Sequence, residues 1–76
     1  MLNNLEVRIM KDLKFGHTHK FFFAGRYDVS EDEFYSAIRR LGIMGYVYYD
    51  ERDKEPFKGH LYNIRISLKG IQEFDE

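Results

Sequence analysis

Apolar positions along this chain follow two different periods, and the change from one to the other falls near residue 45. Before it, Leu5, Ile9 and Leu13 recur at four-residue steps, with Leu2 and Met10 widening the stripe, which predicts a helix over about residues 4–15. Asn3 with Glu6 makes a capping-box pattern, Leu2 and Val7 stand where a hydrophobic staple closes, and Gly16 is a natural stop. The same grammar returns at Val29-Ser30-Glu31-Asp32-Glu33-Phe34. Ser30 is the expected N-cap, Glu33 completes the box, and Val29 pairs with Phe34 as the staple. Three carboxylates favour the positive end of that helix dipole. Phe34, Ala37, Ile38 and Leu41 form its buried stripe. Gly45 ends it, and Gly42 weakens its last turn by about 1 kcal/mol relative to Ala.

Beyond Gly45 the period is two. Tyr46, Val47, Tyr48 and Tyr49 are strong strand formers. Leu61 to Ser67 alternates again, placing Tyr62, Ile64 and Ile66 on one face and Leu61, Asn63 and Arg65 on the other. The charged segment Asp50 to His60, with the only Pro, is the loop of a long hairpin. Ser67 caps a short terminal helix with Ile66 and Ile71 at its staple positions, and Ile71 and Phe74 are the residues it can bury. Residues 17–28, with three adjacent Phe, fit a short helix or a strand entering a turn.

Composition narrows this picture. A chain of 76 residues is expected to be a single domain, residues 1–76, of α+β class. Its core supplies about 3–5 kcal/mol of net stability at most. There is no Cys for a disulfide or thiolate zinc site, which fits a reducing, cytoplasmic setting. The longest apolar run is Phe21 to Phe23, and the N-terminus lacks a signal-peptide layout, so no membrane role is expected. Twelve Lys and Arg against thirteen Asp and Glu leave a net charge of −1, too little for nucleic-acid binding by electrostatics alone. The exception is residues 1–27, whose Arg8, Lys11, Lys14, Lys20 and Arg26 outweigh two acids.

The order helix, undetermined element, capped helix, strand, charged loop, strand, short helix is that of a winged helix-turn-helix domain. VSEDEFYSAIRRLGIMGYV resembles the third helix and first wing strand of such domains, and HLYNIRISLKGIQEF the second wing strand and a Lys-Gly helix start. Within that superfamily the chain is most similar to the small YjcQ-like proteins of Gram-positive bacteria and their prophages. The similarity covers residues 28–74 well and residues 4–15 by pattern. It implies a small winged-helix domain (three helices, a two-stranded β-wing and a short C-terminal helix) and a regulatory or DNA-binding role.

In such a domain the face of the capped helix carrying Tyr35, Ser36, Arg39 and Arg40 would enter the major groove. Arg52, Lys54 and Lys58 would lie on the wing. The same residues also describe a solvated helix face and a loop of net charge −1, and Asp32 and Glu33 oppose phosphate. Phe57 is either folded back on the sheet or an exposed anchor for a partner. Arg65, joined to the N-terminal cations, would form a phosphate-contacting surface if these residues meet in space. Tyr46, Tyr48, Tyr49 and Tyr62 could build a base-stacking face or the rim of a small core. His17 and His19, with His60 remote, make a poor metal site.

There is no Cys nucleophile, Gly-rich phosphate loop or HExxH, so neither an enzyme nor a cofactor is expected. Two readings stay open. One is a DNA-binding or transcription-associated regulator, working as a homodimer through Ile71 and Phe74. The other is a protein-interaction module on the same fold, without nucleic acid. Convergence of the N-terminal cations on Arg39 and Arg40 would favour the first; their dispersal would favour the second.

Overall fold

The computed structural model describes residues 2–15 and 24–74. The first helix, α1, runs Asn4–Lys14, and its cap closes reciprocally. Asn3 Oδ1 accepts from the Glu6 amide at 2.8 Å, and Glu6 Oε1 accepts from the Asn3 amide at 2.9 Å. Phe15 is the C-cap; the expected stop at Gly16 lies outside the described residues.

Where a second element was expected, Ala24–Tyr27 form one 3-10 turn; residues 17–23, with their Phe cluster, lie outside the described residues. Asp28 follows at φ 58°, a left-handed conformation that a short polar side chain tolerates. The turn delivers Tyr27 to the core, stacked on Phe34 with ring centroids 5.7 Å apart.

Helix α2 spans Glu31–Ile43 and starts as its cap predicts, with Ser30 Oγ accepting from the Glu33 amide at 3.1 Å. The other half of the box differs. The Glu33 carboxylate takes the Ser30 hydroxyl at 3.3 Å, because a serine hydroxyl has a proton to donate and the Asn3 side-chain oxygen has none. At the far end, Gly45 lies at φ 82°, the Tyr46 amide reaches Leu41 O at 2.9 Å, and the Gly45 amide reaches Gly42 O at 3.0 Å. This is a Schellman closure, and it needs glycine for the left-handed residue.

Strands β1 (Val47–Glu51) and β2 (Leu61–Ile66) pair antiparallel. Tyr46 stays out of the ladder since its amide is committed to the helix end. The register passes from Val47 opposite Ile66 and Tyr48 opposite Arg65 to Asp50 opposite Tyr62 and Glu51 opposite Leu61. Asn63 and Ile64 thus face the single residue Tyr49, and Asn63 adopts φ 54°. This bulge corrects the expected faces. Strict alternation put Tyr62 beside Ile64 and Ile66, whereas the extra residue turns Leu61 into the core and Tyr62 outward.

Ile9, Met10 and Leu13 from α1, Phe34, Ala37, Ile38 and Leu41 from α2, and Val47, Leu61 and Tyr27 make the core. Each of the larger apolar side chains contributes about 1.5–3 kcal/mol by burial. Among the described residues, three α-helices and a two-stranded antiparallel sheet make the fold α+β. No helix among the described residues is long and apolar enough to cross a membrane.

Helix α3 (Leu68–Glu73) is joined to the end of α2 by successive bonds. Lys69 Nζ donates to Met44 O at 2.9 Å, Ser67 Oγ to Gly45 O at 2.6 Å, and the Ser67 amide to Tyr46 O at 2.9 Å. Ser67 Oγ also accepts from the Gly70 amide at 3.0 Å, so one buried hydroxyl serves as cap and tie. Gly70 lies directly beneath Tyr46, where a Cβ would collide with that residue's carbonyl oxygen and crowd Ile66 and Met10. Ile66 lies against Gly70, and Ile71 remains 40% exposed. Phe74 is half-buried, edge-on to Tyr46 at 5.9 Å, and so is a packing residue where an exposed dimer contact was expected.

Gly70→Ala is expected to destabilise the fold by about 2 kcal/mol, because the nearest obstacle is backbone and cannot rotate away. Chemical denaturation would show this as a lower midpoint at unchanged slope.

Candidate functional site

The side of α2 that sequence spacing assigns to recognition is met by the hairpin loop. The loop closes through the Arg52 amide to His60 O and the Gly59 amide to Arg52 O, both at 2.8 Å, and the His60 amide to Phe57 O at 3.0 Å. Gly59 sits at φ 90°, a conformation open to glycine. This turn presents His60 and the Gly59 carbonyl to Tyr35 and Arg39, which are one helical turn apart on α2.

Arg39 Nη2 donates to Gly59 O at 3.0 Å and approaches Glu51 Oε1 at 3.4 Å. The His60 ring lies between Tyr35, at 5.6 Å, and Phe57, at 5.5 Å, and its Nε2 is 3.2 Å from Glu31 Oε1. Burial first, then the charge of Glu31, raises the Tyr35 pKa above the ordinary tyrosine value, while Arg39 partly offsets this. Two of the four residues expected to read DNA therefore hold the loop against α2.

Arg40 points to the opposite side. Its Nε reaches Glu6 Oε2 at 3.1 Å, joining α2 to the cap of α1 through a carboxylate that is nearly inaccessible to solvent. Beside it, Leu5, Val29, Asp32, Glu33 and Ser36 line a shallow groove of about 540 Å³. Of the four predicted α2 readers, Ser36 remains in a groove whose other charged walls include two acids.

The loop cations divide. Lys54 and Lys58 are exposed, whereas the Arg52 guanidinium lies 4.6 Å from the Tyr62 ring. Across the same outer sheet face Arg65 covers Tyr48 at 5.5 Å, and Asn63 Nδ2 donates to Asp50 Oδ2 at 2.9 Å between them. The aromatic face expected from four tyrosines thus consists of Tyr48 and Tyr62, each covered by an arginine. Tyr49 packs over Gly42, and Tyr46 takes Phe74 on one side and Lys69 at 5.2 Å. Phe57 at the loop tip is 57% exposed and touches His60.

The N-terminal cations also separate. Arg8, Lys11 and Arg26 surround Asp12 in a cleft of about 360 Å³, while Lys14 donates to Phe74 O at the chain's other end. Arg65 is on the outer sheet face, and Lys20, His17 and His19 lie outside the described residues. Arg39 and Arg40 are joined to the loop and to Glu6, and neither lines the cleft. Position 26 lies within residues 17–28, the undetermined stretch of the sequence, so its return to α1 had no local signal. The i, i+3, i+4 spacing of Arg8, Lys11 and Asp12 was visible as one helical face.

Tyr27 is tied to the cleft through Asp12. Its hydroxyl donates to Asp12 Oδ2 at 2.6 Å, and Arg26 Nε donates to the same oxygen at 2.9 Å. Burial, reinforced by the bond to Asp12, raises the Tyr27 pKa far above its usual value. The neutral phenol is therefore favoured in the folded protein. This contribution is fully present below about pH 10, where tyrosine is neutral in both states, and is lost as pH rises toward the folded pKa. Denaturation midpoints from pH 8 to 11 should fall above about pH 10, and Tyr27→Phe should flatten that decline while lowering stability at neutral pH.

Arg39→Ala should cost about 1 kcal/mol or less overall, since both partners of its ion pair are substantially exposed. Hydrogen exchange should nevertheless accelerate at the Gly59 and His60 amides and stay unchanged in the Leu41 turn. Unchanged exchange at the loop would show that Arg39 does not hold it. In comparison with known proteins, the chain matches no family model, no curated protein and no solved structure.

Proposed function

We propose that this chain is a small, non-enzymatic winged-helix-like interaction module that engages a protein surface in preference to duplex DNA. The winged-helix reading is supported by the order of α1, the intervening turn, α2, the hairpin and α3, and by the similarity of its α2, hairpin and Lys-Gly segments to the YjcQ-like proteins. Such proteins bring no activity with them, so the choice of partner rests on the side chains.

The observation that carries the choice is the engagement of Tyr35 and Arg39 with the hairpin loop and of Arg40 with Glu6. A groove-reading helix needs guanidinium groups free to form paired bonds with guanine. Here freeing Arg39 would detach the loop, and freeing Arg40 would leave the Glu6 carboxylate, buried in the fold, without its cation. What remains outward on the first half of α2 is Glu31, Asp32 and Glu33, which repel phosphate. Exposed apolar residues suit a protein partner better: Phe57 at the loop tip, Ile71 on α3 and Ile43 at the end of α2.

The test is a salt-titrated mobility-shift assay with a random duplex. No shift is expected at about 50 mM salt, where non-specific DNA binders show clear affinity. A shift that weakens on Arg39→Ala, Arg40→Ala or the Lys54→Ala/Lys58→Ala pair would overturn the protein reading and restore DNA as the partner.

A further inference from the structure

We propose that Arg8, Lys11 and Arg26 form a binding site for a phosphate monoester dianion, a site separate from the hairpin and independent of the proposed protein contact. Arg8, Lys11 and Asp12 occupy one face of α1, and Arg26 returns to them from the 3-10 turn, enclosing the cleft of about 360 Å³.

The site is organised before any ligand arrives. Asp12 holds Arg26 through Nε at 2.9 Å, with Nη2 at 3.5 Å, which orients the guanidinium fork while leaving further N–H groups to donate. The Arg8 guanidinium lies 5.2 Å from the Tyr27 ring centroid, and that ring is itself locked by its hydroxyl bond to Asp12 and its stack on Phe34. Both arginines are thus restrained, so less side-chain entropy is lost when they bind. Neither Arg8 nor Lys11 has a carboxylate partner among the described residues. In a chain with more acids than bases, two uncompensated cations beside a third are a local surplus.

Charge and shape select the class of ligand. Among the described residues, three cations and one carboxylate leave +2 in the cleft, the complement of a monoester phosphate at about −2 near neutral pH. A phosphodiester carries half that charge, and a nucleic-acid backbone presents a row of them, which calls for a stripe of cations. Here Lys14 and Arg65 are engaged elsewhere, so among the described residues the cluster has three cations. Asp12 and the carbonyl end of α1 oppose an anion, and net attraction therefore needs all three cations together.

The experiment titrates the folded chain, observed by amide and arginine side-chain NMR, with phenyl phosphate, dimethyl phosphate, an Ala-phosphoserine-Ala tripeptide and a single-stranded oligonucleotide. Phenyl phosphate and the tripeptide should both shift Arg8, Lys11 and Arg26, and the tighter of the two identifies a free or a peptide-borne phosphate as the source. Arg8→Gln and Lys11→Gln, both exposed and so tolerated by the fold, should each weaken this binding about three- to tenfold. Dimethyl phosphate should bind more weakly than phenyl phosphate. The proposal fails if no probe shifts these residues, if dimethyl phosphate binds as well as phenyl phosphate, or if either variant binds normally. It also fails if the oligonucleotide binds most tightly with a salt dependence of several charges, which would make the cleft a nucleic-acid contact.

Discussion

The three consecutive carbonyls at the end of α2 constrain most of this small protein. Met44 is the C-cap of α2, Gly45 and Tyr46 follow it, and the carbonyl of each is met by one short segment from the other end of the hairpin. Lys69, the Ser67 hydroxyl and the Ser67 amide satisfy them in turn, and Gly70 permits the approach. The junction sets where α2 stops, where β1 starts, how β2 leaves the sheet and where α3 begins. With no Cys for a disulfide and ten core residues among those described, such polar closure replaces what a larger domain obtains from bulk burial.

From that junction the hairpin can only run back along α2, and the arginines follow. The loop arrives with a carbonyl, a carboxylate and an imidazole at the side of α2 that carries Tyr35 and Arg39, and the pairs form within the chain. On the far side Arg40 neutralises Glu6, whose carboxylate had already been drawn into the fold as the cap of α1. A helix face that resembles a DNA reader on a wheel is thereby spent on holding three elements together. Besides the exposed Lys54 and Lys58 of the loop, Arg8 and Lys11 on α1 gather with Arg26 at a site that the motif-bearing half of the chain does not mark.

Local rules made α1 and α2 legible because their start and stop signals act within a few residues. Asn3 with Glu6, Ser30 with its apolar stripe, and Gly45 at a positive φ need no distant partner to do their work. The hairpin was legible, but β1 runs on through Asp50 and Glu51, which were read as loop, and the facing of β2 was misread, since one left-handed residue, Asn63, reverses the side on which Leu61 and Tyr62 emerge. Asparagine among strand formers was the available signal for it. Phe74, expected among the residues the short helix can bury, does pack, but its partner, the ring of Tyr46, lies far away in the sequence.

The sequence by itself determined the α+β class, the two main helices, the hairpin and the caps, because hydrophobic period and cap chemistry are short-range and recur in any context. It also determined the near-neutral charge that weakens a nucleic-acid reading. Tertiary structure alone decided which charges remain available. Ion pairs such as Arg40 with Glu6, or Arg39 with Glu51 and Gly59, join residues far apart in the chain, and their formation depends on how the junction aims the hairpin. Arg26 reaches Asp12 by the same kind of return. A side chain's type shows that it carries charge; only its neighbours in space show whether that charge is still free to bind something else.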